Sequence, residues 1–341
     1  MDGWKVSEFG KIEKTSDHEA INEVDQVKIR ITSALITDDD VAHIVGEDKT
    51  INLPIIPGKM AVGQVTATGV GADYLEKGTR VVLSSATHCG KCANCTQGNT
   101  ENCYQYNLAG KTSNGFLRDF AVMNASDVYA LPQSVKDSDA IFIEYVALAL
   151  SVIDRLKLEK GDHIAVIGAN VFGSILAQLL IYYQAVPIII DSSETNLKLA
   201  KNSGIYYTLP VNAKTEREIL SITGGRMANG VVYVARSGVS TDLAYKVASP
   251  SAKIVFAGLS YPNVKVSLSL ALSKQLSSIC VSNGYGNYLA AINLLANKAI
   301  DLSSYKPTQI KLDKVEETVN ELINKFNKKQ DFNNVIINML G

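Results

Sequence analysis

The sequence predicts an α/β protein with two cores: a β-rich first domain and a second, doubly wound domain built on a parallel sheet. Three observations point there. From Gln26 to about Pro132 the apolar residues come in short, often alternating runs such as Val27, Ile29 and Ile31, punctuated by Gly58, Gly63, Gly69, Gly71 and Gly78. After Asp139 the pattern changes to long helical stretches separated by compact β-branched runs, as in a parallel sheet covered by helices. At 341 residues the chain is also too long for one ordinary hydrophobic core.

Composition narrows the class. Apolar residues make up 46% and charged residues 20%, the balance of a folded chain rather than a disordered one. Lysine and arginine total 33 against 34 acidic residues, so no global field favours nucleic acid or an anionic membrane, and partners must be sought in local sites. The longest apolar stretches, such as 145–150 and 231–235, fall far short of the ~20 residues a bilayer span needs. The start, Met1-Asp2-Gly3-Trp4-Lys5, lacks the basic region and apolar run of a secretory signal. A cytoplasmic protein without membrane or nucleic-acid partners is expected.

In the second region strands are expected at 163–167, 186–190, 231–234 and 253–257, with helices at 172–183, 194–203, 215–222 and 241–248. Pro187 is tolerated at the start of its strand but not in the middle. Gly204 stands just past the second helix as a natural stop. Beyond Gly286 follow two amphipathic helices, 288–298 and 313–326, and a last strand at 334–340. The pairs Tyr182-Tyr183 and Tyr206-Tyr207 fall within this pattern and read as packing.

Four of five cysteines, Cys89, Cys92, Cys95 and Cys103, lie close together in a C-x2-C-x2-C-x7-C spacing, while Cys280 stands alone. The odd count and the expected reducing compartment argue against a disulfide framework. Two-residue gaps turn successive thiolates inward on a small knuckle, and the fourth closes a tetrahedron around zinc. Four thiolates leave no position for water or substrate, so this single zinc is expected to be structural.

The strand at 163–167 runs into Gly168-Ala169-Asn170-Val171-Phe172-Gly173 and then a helical pattern. That order places a pyrophosphate on a helix N-terminus. The central glycine of G-x-G-x-x-G is replaced by Asn170, whose side chain would have to fit beside the cofactor at some cost in affinity. Asp191 ends the next strand about 20 residues further on, where a carboxylate accepts from the adenosine ribose and repels a 2′-phosphate. NAD(H) is therefore expected over NADP(H). Arg236, after the strand at 231–234, lies at the sheet edge where ligands of doubly wound folds bind and is a further candidate cofactor contact.

These residues together resemble the zinc-containing medium-chain dehydrogenase/reductase superfamily of alcohol, polyol and threonine dehydrogenases. Pro57-Gly58-x4-Gly63, Lys77-Gly78-Thr79-Arg80-Val81, the cysteine cluster, Gly115-Phe116, and Gly168 to Gly173 followed by Asp191 stand in that family's order over nearly the whole chain. The resemblance implies a GroES-like catalytic domain at 1–140 with a zinc lobe at about 86–106, and a Rossmann domain at 141–275. It assigns 276–341 to the last Rossmann strand and a return to the first domain. It also implies a homodimer or homotetramer, with an interface strand near 278–282, and a small-molecule substrate.

The family's catalytic zinc is where the sequence departs. Thr37 in Ile36-Thr37-Asp38-Asp39-Asp40-Val41 stands where the resemblance implies a cysteine ligand, and Pro57-Gly58-Lys59-Met60 replaces Pro-Gly-His-Glu. The third ligand position falls on Glu144. Lys59 at the second position repels a divalent cation, so no catalytic zinc is expected; Asp38 or His43 would be needed to rebuild a site with Glu144. Lys59, paired with Glu144, is the candidate to stabilise oxyanion charge in a metal-free reduction of a carbonyl or an activated alkene. The run Asp38 to Asp40 reads as an exposed acidic loop. The competing reading is a catalytically inactive dehydrogenase-like protein that binds a ligand or partner.

Overall fold

A computed structural model describes residues 2–340 except 17–19, 22, 236–238, 259–264, 329 and 331. The chain forms two compact units, one from residues 1–144 with 307–341 and the other from 145–306.

The first unit opens with the hairpin β1 (Asp2–Glu8) and β2 (Lys11–Ser16), followed by β3 (Gln26–Ile36), α1 (Asp38–Val45), β4 (Met60–Thr68) and β5 (Arg80–Leu83). A lobe follows with β6 (Ala86–Thr87), α2 (Ala93–Thr96) and β7 (Asn107–Leu108). Next come β8 (Phe120–Asn124), β9 (Val128–Ala130), α3 (Asp137–Ala140) and α4 (Ile143–Leu156), within whose first turn the division between the units falls. The alternation of β3 puts Val27, Ile29 and Ile31 in the core while Arg30 faces out.

In the second unit lie β10 (His163–Ile167), α5 (Val171–Tyr182), β11 (Val186–Asp191), α6 (Glu194–Asn202), β12 (Tyr207–Pro210), α7 (Thr215–Ile222) and β13 (Ala228–Tyr233). They are followed by α8 (Asp242–Val247), β14 (Ala248–Ala257), α9 (Leu268–Ser273), β15 (Ser277–Val281) and α10 (Tyr288–Ala296). The chain then re-enters the first unit with β16 (Thr308–Lys311), α11 (Val315–Asn327) and β17 (Val335–Asn338). The first unit's sheet runs β16-β17-β3-β4-β5-β9, with β8 also paired to β3. Val315, Val319, Leu322 and Ile323, one stripe of α11, bury against it.

The second sheet runs β12-β11-β10-β13-β14-β15, parallel throughout. Its order reverses between β10 and β13, the switch point of a Rossmann sheet, so the strand ends Ile167 and Tyr233 flank the crevice where ligands of such sheets bind. β14 begins before its apolar run because Ser249, Pro250 and Ser251 extend the element without burying side chains. Lys274 Nζ caps α8, donating to the carbonyls of Tyr245 (3.0 Å), Lys246 (2.7 Å) and Ala248 (2.8 Å).

Of the two tyrosine pairs only Tyr207 packs against the core, partly buried. Tyr182, Tyr183 and Tyr206 are exposed, and each pair meets edge-on at the surface, with ring centroids 5.7 Å and 4.9 Å apart. A phenol leaves its polar tip in water while its ring covers a neighbour. Among the described residues no helix is long and apolar enough to cross a membrane.

Asp127, between β8 and β9, is 2% exposed, and its Oδ1 has no hydrogen-bond partner. Burial pushes its carboxyl up to about 7. The folded state therefore holds a proton that the unfolded chain gives up near pH 4, so stability falls as pH rises from about 4 to about 7 and levels off above that. Asp127→Asn is expected to raise the melting temperature more at pH 8 than at pH 5. Equal melting temperatures at both pH values, followed by thermal denaturation, would show that the carboxyl imposes no such cost.

Candidate functional site

The cysteine lobe hangs between β6 and β7. Sulfur–sulfur distances are 4.0 Å for Cys89 and Cys95, 3.5 Å for Cys92 and Cys95, 4.0 Å for Cys92 and Cys103, and 3.6 Å for Cys103 and Cys89. A tetrahedron with metal–sulfur bonds of about 2.3 Å has edges of about 3.8 Å, so the four sulfurs already stand at zinc's spacing. Backbone amides support the thiolates: Cys89 N and Gln105 N donate to Cys103 Sγ (both 3.3 Å), and Cys92 N donates to Cys89 Sγ (3.4 Å). Such donation draws the Cys92 thiol down to about 6, while burial and the neighbouring thiols push Cys95 up to about 12. A cation among the sulfurs supplies the charge that lets all four ionise.

The glycine turn joins β10 to α5. Gly168 sits at φ +117°, and a Cβ there would lie 2.7 Å from Ala235 N; a Cβ on Gly173 would lie 2.0 Å from Gly168 O. Both positions require glycine. Asn170 does not: it is extended, at φ −64° and ψ 176°, and is the N-cap of α5. Its Oδ1 accepts from Gly173 N (2.8 Å) and its Nδ2 donates to Val234 O (3.1 Å). The amides of Val171 and Phe172, the first two of the helix, precede the first i to i−4 bond, from Ser174 N to Asn170 O (3.0 Å). They are the donors such a turn offers an anion.

Phe172 packs on Tyr145 at 5.6 Å between centroids. Asp191 is buried, with Oδ2 accepting from Ala169 N (2.6 Å) and Oδ1 from Ser193 N (2.7 Å), so it ties two βα turns together. Arg236 lies outside the described residues.

The third cluster surrounds Lys59. The Asp38 to Asp40 run is not an exposed loop but the first turn of α1, with Asp39 and Asp40 buried. Thr37 and Asp40 form a capping box: Thr37 N and Oγ1 donate to Asp40 Oδ2 at 2.8 and 2.7 Å, and Asp40 N donates to Thr37 Oγ1 at 3.3 Å. Asp40 Oδ1 then accepts from Gly58 N (3.1 Å), pinning the turn that leads into Lys59. Lys59 Nζ pairs with Asp39 Oδ2 at 2.6 Å, their side chains 15% and 10% exposed. The expected pairing with Glu144 is corrected to Asp39, because the helix start brings that carboxylate to the ammonium. Glu144, buried in the first turn of α4, is close enough to act on it through space.

Burial alone would push the Lys59 ammonium down, but Asp39, Asp40 and Glu144 outweigh it and hold Lys59 above the usual lysine range. His43, 7% exposed, is pushed down to about 4 by burial.

A catalytic zinc does not fit these residues. An ammonium stands at 59, where the family resemblance implies a ligand, and the Thr37 hydroxyl is committed to Asp40. Among the described residues the four cysteines are the one group of three or more metal-ligating side chains in mutual reach, and Asp38, His43 and Glu144 do not form such a group. Sequence reasoning missed Asp39 and Asp40, although Thr37-x-x-Asp40 before an apolar run is a readable helix start.

Comparison with known proteins follows the two units. The alcohol dehydrogenase GroES-like domain matches residues 23–133, and the zinc-binding dehydrogenase domain matches residues 172–297. An uncharacterized zinc-type alcohol dehydrogenase-like protein of Haemophilus influenzae is 26% identical over 298 residues, 87% of each chain. Galactitol-1-phosphate dehydrogenase from Escherichia coli superposes with a TM-score of 0.87 at 21% identity, over 99% of this chain and 100% of that one. An alcohol dehydrogenase from Escherichia coli CFT073, solved with NADH, superposes at 0.86 with 21% identity over 99% of both chains. The chain belongs to the zinc-containing medium-chain dehydrogenase/reductase superfamily and is a zinc-type alcohol/polyol dehydrogenase-like oxidoreductase.

Elemental analysis of protein purified without added metal should return one zinc per chain, lost in Cys95→Ser. A second zinc retained in that variant would mean that a metal binds near Lys59 after all.

Proposed function

We propose that this oxidoreductase uses NAD(H) to interconvert a small carbonyl and its alcohol, or to reduce an activated alkene, without a catalytic zinc. The observation behind this reading is the half-buried Lys59 ammonium, held charged by Asp39 where the family resemblance puts a metal ligand.

Bound NADH would supply the hydride. Carbonyl reduction then leaves negative charge on oxygen, and a fixed cation in a water-poor site stabilises it without reorganising. Lys59 suits that task better than proton donation, since a group held above the lysine range stays protonated through the neutral region. In conjugate reduction the substrate's own carbonyl spreads the charge and Lys59 holds its oxygen.

Val171 and Phe172 would donate their amides to the pyrophosphate. Asp191 keeps a second lone pair on each oxygen for the adenosine ribose, and with Glu194 in the next turn it makes a 2′-phosphate unwelcome.

A second reading is favoured by one fact: Asp39 already neutralises Lys59, with Asp40 and Glu144 adding negative charge around it. An ion pair that merely fills an old metal cavity would leave a ligand-binding protein without turnover.

Turnover with a panel of aldehydes, ketones and enones separates the two readings. Lys59→Met should abolish turnover at least about 100-fold, the scale of one lost oxyanion donor, with NADH binding intact. Because it strands Asp39, a cost of about 3–5 kcal/mol for a buried pair, the neutral Lys59→Met/Asp39→Asn double variant serves as the folded control. Unchanged turnover in either variant removes Lys59 from the reaction.

We also propose that two copies pair through β15, the open edge of the second sheet, where Ser277, Ser278 and Cys280 are exposed. Ile279→Lys with Val281→Lys should shift the sedimentation mass from dimer or larger to monomer; an unshifted mass places the interface elsewhere.

A further inference from the structure

We infer that Asn170 is a positioning residue that locks the dinucleotide turn in its binding shape before the cofactor arrives. The inference rests on the proposed NAD(H) reading and deepens it, because the position is one where a glycine is the family's usual choice and an asparagine reads as an obstacle.

Backbone geometry removes the obstacle. A residue at φ −64° and ψ 176° is in extended conformation open to any side chain, unlike Gly168 at φ +117°. The Asn170 amide also has its own work. Oδ1 accepts from Gly173 N, a first-turn donor with no carbonyl inside the helix to meet it. Nδ2 reaches across the sheet to Val234 O, and Val234 N in turn donates to Ile167 O at 2.8 Å. One side chain thus joins the end of β10, the start of α5 and the end of β13, the three segments around the switch point.

A glycine here would leave Gly173 N and Val234 O to water and restore backbone freedom to the turn. Binding would then have to order it. The lock leaves the Val171 and Phe172 amides as the helix donors for a pyrophosphate.

Two variants separate the parts. Asn170→Gly removes both bonds; Asn170→Ser keeps a capping oxygen for Gly173 N but cannot reach Val234 O. NADH titrations followed by fluorescence, well below the melting temperature, should show Kd raised about three- to ten-fold in Asn170→Gly, the span of one or two lost neutral hydrogen bonds. The rise in Asn170→Ser should be smaller. Binding stoichiometry should stay unchanged in both, because a merely structural defect lowers the competent fraction rather than the affinity of what remains.

Hydrogen exchange of the ligand-free protein reads the lock directly: the Gly173 amide should exchange faster in Asn170→Gly and at the native rate in Asn170→Ser. Equal or tighter NADH binding by Asn170→Gly, or native Gly173 exchange in it, overturns the inference. If the wild-type protein binds no NADH while Gly173 exchange rises as expected, the lock stands and the cofactor reading falls.

Discussion

A lysine ammonium that is largely withdrawn from water must meet negative charge nearby, and the arrangement of residues 37 to 59 follows from that constraint. Desolvating one unit charge without a partner costs several kcal/mol, so Lys59 is tenable only with Asp39 at 2.6 Å. Asp39 in turn is placed by a helix start whose capping box uses Asp40, and Asp40 spends its other oxygen on Gly58 N, next to Lys59 itself. The loop is closed: the same carboxylate that starts the helix also fixes the turn carrying the charge the helix must neutralise. The segment after the zinc lobe supports that turn from another side, where Gly115 N donates to Ile56 O and Phe116 N to Gly58 O, both at 2.7 Å.

The other two clusters meet their local demands by different means. Four sulfurs need a cation between them, and short local spacing brings them together almost regardless of the surrounding fold. The glycine turn needs two backbones to approach closely, and only residues without a Cβ allow it at 168 and 173. Lys274, partly buried at the end of α8, is satisfied by long-range bonds to three carbonyls. Asp127 keeps an unpartnered oxygen, and burial makes its ionisation costly at neutral pH.

Much of this was legible in the sequence. The fold class followed from the change of hydrophobic period near residue 140, and helix 215–222 could be read to its ends. The cysteine knuckle and the two obligatory glycines are local patterns whose chemistry is set by residue type and spacing, whereas the absence of metal ligands at Thr37 and Lys59 is what the family resemblance implies. The alternation of β3 and the stripe of α11 likewise declare their buried faces.

What the sequence left open is the choice among partners that lie far apart in the chain. Three consecutive aspartates look like a solvated loop until a helix start turns two of them inward against a lysine twenty positions away. Asn170 looks like a steric defect until Val234, 64 residues on, is seen to accept its amide. Composition and spacing determined which groups this protein has available for metal, anion and charge; tertiary structure decided which of them meet, because a buried polar atom left without a partner is costly and most find one wherever the chain supplies it.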